Sequence, residues 1–443
     1  MARRMTGQPY LPAVPPGPGL VGPVPRTLLR RRTSALTWVA MIILGVGALV
    51  VALLILYTGG PIGALVTTVL AAISFPLLIA VCFWLDRYEP EPARYRIAAL
   101  GWGAVIAVIL SFVAEQLLFS LPGTSDFTDT AILAPLVEEL GKGLFLVVVL
   151  LLRRNQVHGL LDGIVYAGLV GIGFAFVEDI LYYTSALSEG GGAGLTVTFV
   201  LRGVMSPFAH PLFTSATGIG IGIAASTRRP VLRWLAPLTG YVVAAVLHGI
   251  WNGSSFWGSR GFLVAYAAVF LPLLAVVLFV GVWARIREGR MLRSGLEQTA
   301  DLGWNTRDEI RWIATLSDRI SSRGYARRRA GKPAAEALRA YQQTMTEIAF
   351  LHLRALDGTA PRDVNQRMGA LLQHAGELRP YVILPPPLPA VRGYGGPPPG
   401  SWGAPPGPPP FGPSPYGPSP YGPPPSAPSP YGPPPSGPWP PSA

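Results

Sequence analysis

From Ala35 onward the chain alternates between apolar stretches of about 20 residues and short polar connections. About 20 apolar residues in helical conformation match the thickness of a bilayer core. The pattern predicts eight membrane-spanning helices, over residues 35–57, 62–85, 97–120, 129–152, 160–184, 195–225, 234–254 and 261–284. Pro207 and Pro211 predict a bend or break in the long sixth stretch. The expected fold class is therefore all-α: a polytopic integral-membrane helical bundle occupying residues 35–284.

Beyond residue 284 the period changes. Thr306 followed by Glu309 forms a capping-box pattern before Ile310, Ile313, Leu316 and Ile320 at helical spacing. Further amphipathic helices are predicted over 334–356 and 361–378. Residues 285–380 thus read as a small helical cytoplasmic appendage. Residues 381–443 form a tail of Pro, Gly, Ser and Tyr in which Ser-Pro-Tyr-Gly-Pro recurs at 414–418, 419–423 and 429–433. Such composition lacks the apolar content to fold and favours extended, disordered chain. Residues 1–34 read as a basic, Pro-rich, disordered cytoplasmic tail, with no apolar run that would make a signal peptide.

Composition agrees. Half of the 443 residues are hydrophobic, only 13% are charged, and mean hydropathy is +0.40. The net charge of +12 does not indicate nucleic acid, because the positive residues flank apolar segments. Arg87, Arg94 and Arg96, then Arg153 and Arg154, then Arg228, Arg229 and Arg233 fall on alternate connections. The intervening connections hold only Arg260. The positive-inside rule then predicts a multi-pass protein of the cell membrane with both termini cytoplasmic. The sole cysteine, Cys82, excludes an intramolecular disulfide and a Cys-based metal site.

Against this background the fourth stretch stands out. It carries Glu138, Glu139 and Lys142 amid apolar residues, and Lys142 is one of only two lysines in the chain. A charge at the centre of a membrane helix costs roughly 2.5–3.5 kcal/mol on insertion scales, so it marks a functional position. Lys142 lies i+4 from Glu138 and i+3 from Glu139 and can reach either carboxylate. The competing reading is an ion pair that only fixes helix packing. Phe174 and Glu178 share a face of the fifth stretch, with Asp179 turned away. His210 and Arg202 lie in the sixth stretch, and His248 and Asn252 share a face of the seventh. Glu178 paired with Arg202 near the outer interface is its simpler reading. Asp162, Glu115 and Gln116 lie near span ends, where solvation accounts for them. Imidazoles and carboxylates at comparable depth suit a divalent metal such as zinc. The same groups can activate water unaided, with a glutamate as base and an imidazole or amide stabilising the oxyanion. The sequence leaves both routes open.

Glu138-Glu139-x-x-Lys142, Phe174-x-x-x-Glu178, His210 and His248, in order on consecutive spans, resemble the PrsW family of intramembrane proteases. The segment Asp86-Arg87-Tyr88-Glu89-Pro90-Glu91-Pro92 resembles that family's loop, and the likeness covers roughly residues 35–284. The family is similar in motif logic to CAAX prenyl endopeptidases and bacteriocin-processing proteases. The resemblance implies an intramembrane endopeptidase acting on a membrane-anchored protein, such as an anti-sigma factor. It implies a catalytic set of Glu138, Glu139, Lys142, Glu178, His210, His248 and Asn252. If a metal is used, the implied ligands are Glu139, Glu178, His210 and His248, with zinc the candidate. Glu139 is expected as base and Glu138 as the partner of Lys142. Asp179 stands where the family pattern has asparagine and adds a carboxylate. Besides substrate and bilayer, a cytoplasmic partner for the appendage or the tail is expected. The alternative reading is a proton- or ion-coupled transporter using the buried Glu/Lys/His network, although no repeat relates the two halves. A third is a scaffold recruiting partners through its Pro-Tyr tail.

Overall fold

The computed structural model describes residues 35–386 except 121, 153–156, 158 and 362, with backbone only for residues 35–37. The two tails read as disordered, 1–34 and most of 381–443, lie outside the described residues, as do Arg153 and Arg154.

Every regular element among the described residues is helical, as expected. They are α1 (Ala35–Leu85), α2 (Ala93–Leu118), α3 (Ala134–Leu152), α4 (Leu160–Phe199), α5 (Ala209–Ser226), α6 (Pro230–Ser254), α7 (Gly258–Ala265), α8 (Leu271–Asp301), α9 (Arg307–Ala314), α10 (Leu316–Leu356) and α11 (Val364–Leu378). Among the described residues four helical runs are long and apolar enough to cross a membrane: Trp38–Leu85, Ala93–Leu118, Leu160–Ser226 and Pro230–Asp301. Three of them contain a glycine outside helical geometry, Gly60 (φ 62°), Gly191 (φ 57°) and Gly258 (φ 70°). Wide π-helical turns interrupt α2 at Trp102–Ala107, precede α3 at Asp129–Leu133 and follow α4 at Val200–Met205.

The bundle is built around α4. In the run containing it, 89% of the most apolar stretch is buried, against 17% and 11% for the first and last runs. Those outer helices instead present Trp38, Ile42, Leu49 and Leu53, or Val276, Phe279 and Trp283, outward. A soluble protein would not expose so much contiguous apolar surface, but lipid accommodates it. Glycine on α4 allows its neighbours to approach closely. A Cβ at Gly163 would strike the Gly218 carbonyl of α5, and one at Gly171 would lie 2.7 Å from the Pro211 nitrogen. The second approach seats the residue preceding Pro211, which is His210.

At the other end of α4 the polar residues are not solvated as expected. Asp162 is 4% exposed and accepts a hydrogen bond from the Gly159 N–H, 3.3 Å, at the helix start. It lies beside two more buried carboxylates from the Asp86–Pro92 connection. Asp86 accepts the Glu91 N–H at 3.0 Å and pairs with Arg96 at 3.6 Å. Glu91 accepts the Tyr166 hydroxyl at 2.7 Å. Burial, and then the Asp162 charge, push the Asp86 carboxyl up to about 8 and raise Glu91 well above the carboxylate range.

A second apolar core joins the end of α8 to α9, α10 and α11 through Leu292, Leu296, Ile313, Tyr341, Met345 and Leu372. The capping contact expected at Thr306 forms: its N–H donates to Glu309, 3.1 Å. Glu309 also accepts the Tyr341 hydroxyl, 3.0 Å, and pairs with Arg379, 2.7 Å, so three segments meet on one carboxylate. Helix α10 is broken at Ala330 and Gly331, close to the predicted helix start at 334.

A carboxyl with a raised folded-state pKa holds a proton that the unfolded chain releases. Stability therefore falls as pH rises from about 4 to about 8 and levels off above. Asp86→Asn keeps the acceptor shape without ionising. It should flatten the fall in thermal unfolding midpoint over that window, and a slope equal to the wild type's would refute this account of Asp86.

Candidate active site

Helix α3 has an inverted pattern. Leu136, Leu140, Leu144, Val148 and Leu151 face outward, at spacings of three and four residues. Glu138, Glu139, Gly141, Lys142, Phe145 and Val149 face inward. Its polar residues can only sit inside a bundle that supplies partners, because lipid offers none.

Lys142 Nζ provides the centre. It donates to Glu138 Oε2 at 3.0 Å, to Glu139 Oε1 at 2.9 Å and to His210 Nδ1 at 3.0 Å. An ammonium has three hydrogens, and each is used. The Phe174 ring, whose centroid lies 3.7 Å from Nζ, covers the remaining side. Because Lys142 donates to Nδ1 of His210, that imidazole carries its proton on Nε2, which reaches Glu178 Oε2 at 2.5 Å. Arg202, on the π turn after α4, binds Glu178 at 2.5 Å and Asp179 at 2.6 Å and lies over the Tyr182 ring. The interfacial pairing of Glu178 with Arg202 is thus present, and the same carboxylate also orients His210.

The two adjacent glutamates have different surroundings. Glu139 is wholly buried: Oε1 takes Lys142 and His248 Nδ1, at 3.2 Å, and Oε2 takes the Thr214 hydroxyl at 2.9 Å. Glu138 is 6% exposed, and its hydrogen bond among the described residues is to Lys142 through Oε2 alone. Glu139 holds the Nδ1 hydrogen of His248, so the Nε2 lone pair of that ring points toward Glu138 Oε2, 3.9 Å away. The Phe213 ring stacks on His248 at 4.9 Å and fixes its plane.

Six of the seven residues singled out from sequence thus meet: Glu138, Glu139, Lys142, Glu178, His210 and His248. Asn252 does not join them through its amide, which donates to the Thr130 carbonyl at 3.0 Å and ties α6 to the π turn before α3. The donor set for a cation also differs from the implied one. Ligand atoms of Glu138, His210 and His248 lie within 4.8 Å of one another, whereas Glu139 is saturated behind them and Glu178 is held by Arg202. Two imidazoles and a carboxylate suit zinc: His248 offers its Nε2, while His210, whose nitrogens are taken up by Lys142 and Glu178, would have to release Lys142 to ligate through Nδ1. The charge balance agrees. Glu138, Glu139, Glu178 and Asp179 face only Lys142 and Arg202, leaving two negative charges for a cation or protons to neutralise.

Sequence reasoning missed Thr214, although its spacing of four from His210 on α5 was a usable signal. It also assigned Glu115 to interfacial solvation. Glu115 Oε1 is shielded from solvent and lacks a hydrogen-bond partner among the described residues, as does Ser111 Oγ one turn away. Glu115 is close enough to Glu138, Glu178 and Lys142 to feel their charges.

A membrane bundle that gathers a proton acceptor, an oriented imidazole pair and a buried cation is the equipment of a membrane peptidase. Residues 91–280 match the model of the PrsW family intramembrane metalloprotease, and this segment is similar to that family. Protease PrsW of Geobacillus kaustophilus is 26% identical over 177 residues, covering 40% of this chain and 73% of that protein. Protease PrsW of Clostridioides difficile is 32% identical over 150 residues, covering 32% of this chain and 60% of that one. The Bacillus subtilis protein is 26% identical over 176 residues, covering 40% and 76%. No solved structure matches the chain.

Replacing Lys142 by methionine leaves two carboxylates buried without their cation, which costs about 3–5 kcal/mol. Denaturant unfolding in detergent should register that loss, and Glu139→Gln added to Lys142→Met should recover part of it. Equal stability of Lys142→Met and the wild type would show that the ammonium is not needed to keep the carboxylates buried.

Proposed function

We propose that the protein is an intramembrane endopeptidase. It hydrolyses a peptide bond, in or beside the bilayer, of a membrane-anchored protein such as an anti-sigma factor. The observation that carries the chemistry is the unequal state of the paired glutamates. Glu139 has every oxygen engaged, so its work is to hold Lys142 and to orient His248. Glu138 keeps an uncommitted oxygen on the solvent-reachable side, which makes it the base. This reverses the roles expected from sequence.

In this reading Glu138 takes the proton of the attacking water and returns it to the departing amine. Lys142 keeps Glu138 ionised and aligned. His210, held by Glu178, helps keep the Lys142 ammonium beside the two glutamates. A divalent cation, held by Glu138 and His248, and by His210 once its Nδ1 is released from Lys142, would supply Lewis-acid polarisation of the carbonyl and the water. The similarity to a family of metalloproteases and the converging donor set support that reading. Likeness to a protease family weighs against the carrier alternative.

For topology we propose the eight spans predicted from sequence, with both termini cytoplasmic. The breaks at Gly60, Gly191 and Gly258 support it by dividing the longest runs near the predicted connections. The three charges of Ala134–Leu152 do not bar that helix from crossing, because they face inward.

The purified protein should cleave single-span membrane substrates in detergent. Glu138→Gln should lower turnover by about 10²–10⁴-fold with its unfolding midpoint close to the wild type's, whereas Glu139→Gln should lose both activity and stability. A strong chelator should abolish cleavage, and zinc should restore it. Full activity of Glu138→Gln would remove the assignment of the base. For topology, reporter fusions at Gly191 and Ser226 should report opposite sides of the membrane.

A further inference from the structure

Away from the membrane site, a cavity of about 920 Å³ lies between the Asp86–Arg96 segment and helices α10 and α11. Eight arginines line it against four carboxylates: Asp86, Glu89, Glu91 and Glu347. Two of those carboxylates contribute little negative charge at neutral pH, since burial raises Asp86 to about 8 and Glu91 well above its usual range. The wall is therefore strongly positive.

The arginines of α10 are the most telling. Arg319 is 5% exposed, and its hydrogen bonds run to neutral oxygens: the Ile313 carbonyl, the Tyr88 carbonyl at 2.8 Å and the Thr346 hydroxyl at 2.8 Å. Arg323 Nε likewise donates to a neutral group, Gln342 Oε1, at 2.6 Å. Burial lowers both guanidinium pKa values to about 10, and each is lowered further by the next arginine in line, Arg323 for Arg319 and Arg339 for Arg323, with Glu89 and Glu288 offsetting only part of the shift on Arg319. Across the cavity Arg96, whose Nη1 lies 3.6 Å from Asp86, buries its Nε hydrogen without a partner among the described residues. Crowded, desolvated guanidinium groups are costly unless an anion accompanies them. Planar guanidinium forks suit phosphate oxygens in particular. The volume falls in the range of a small-molecule site.

We propose that this cavity is a binding site for a phosphorylated anion, gripped by Arg319, Arg323 and Arg339 from α10 and by Arg96 from the opposite wall. Two sources carry that chemistry: a soluble phosphoester, or the headgroup of an anionic phospholipid reaching in from the adjoining membrane surface. The site is separate from the Glu138 cluster and does not depend on the peptidase reading. Its floor does touch the catalytic bundle, because Glu91 in the wall accepts the hydroxyl of Tyr166 on α4.

The test uses the full-length protein. Its unfolding midpoint is followed with inorganic pyrophosphate in zwitterionic detergent, and in phosphatidylcholine nanodiscs with and without phosphatidylglycerol. The expected result is a saturable rise in at least one arm. A rise with pyrophosphate assigns a soluble phosphoester, and a rise with phosphatidylglycerol alone assigns a headgroup. Arg323→Gln and the exposed Arg339→Gln should each weaken the response by about tenfold or more, the value of one charge-assisted hydrogen bond. Arg339→Gln keeps the test informative should Arg319→Gln fail to fold. No rise in either arm overturns the proposal. So does an equal rise with sodium chloride at matched ionic strength or with polyglutamate, or an undiminished response in both variants.

Discussion

The bundle depends on one buried ammonium. Lys142 lies among apolar helices with no access to water, so its three hydrogens must all find acceptors within the protein. Two acceptors come from its own helix and one from α5. That requirement fixes the rotation of α3, which turns its leucine face to the outside. It also sets the depth of α5, since His210 must arrive beside Nζ. Glu139 and Glu178 then act through His248 and His210, and the histidines inherit their tautomers from carboxylates that the lysine and Arg202 keep charged.

Helix packing is arranged around that need. The approach of α5 to α4 at Gly171 brings the His210–Pro211 backbone nearer than any side chain would allow. The π turns fall next to the same region, one before α3 and one carrying Arg202. Wide turns of this kind shift the register of a helix, and they recur at functional sites. Site geometry and stability are therefore coupled: the interactions that keep four carboxylates in an apolar interior are those that differentiate Glu138 from Glu139.

A second polar concentration lies at the opposite end of α4. There Asp86, Glu91 and Asp162 are buried together, next to arginines of the helices that follow the membrane region. The Asp86–Pro92 connection serves both sides. Its Glu91 reaches Tyr166 of the central helix, and its Tyr88 carbonyl is gripped by Arg319 of α10. An anion bound against α10 would thus be separated from the central helix α4 by one hydrogen-bonded loop.

Sequence alone determined the helical class, the membrane environment, the likeness to a protease family and six of the residues that meet at the site. These follow from periodicity, from the expense of charge in lipid and from motif spacing, all of which are local properties. Thr214 and Glu115 were less legible, because their importance comes from what faces them on other helices. Asn252 shares the His248 face as its spacing predicts, yet a backbone carbonyl on a neighbouring segment captures its amide. Tertiary structure alone distinguished Glu138 from Glu139. The two are chemically identical neighbours, and only the positions of Thr214, His248 and Lys142 around them saturate one carboxylate and leave an oxygen of the other free.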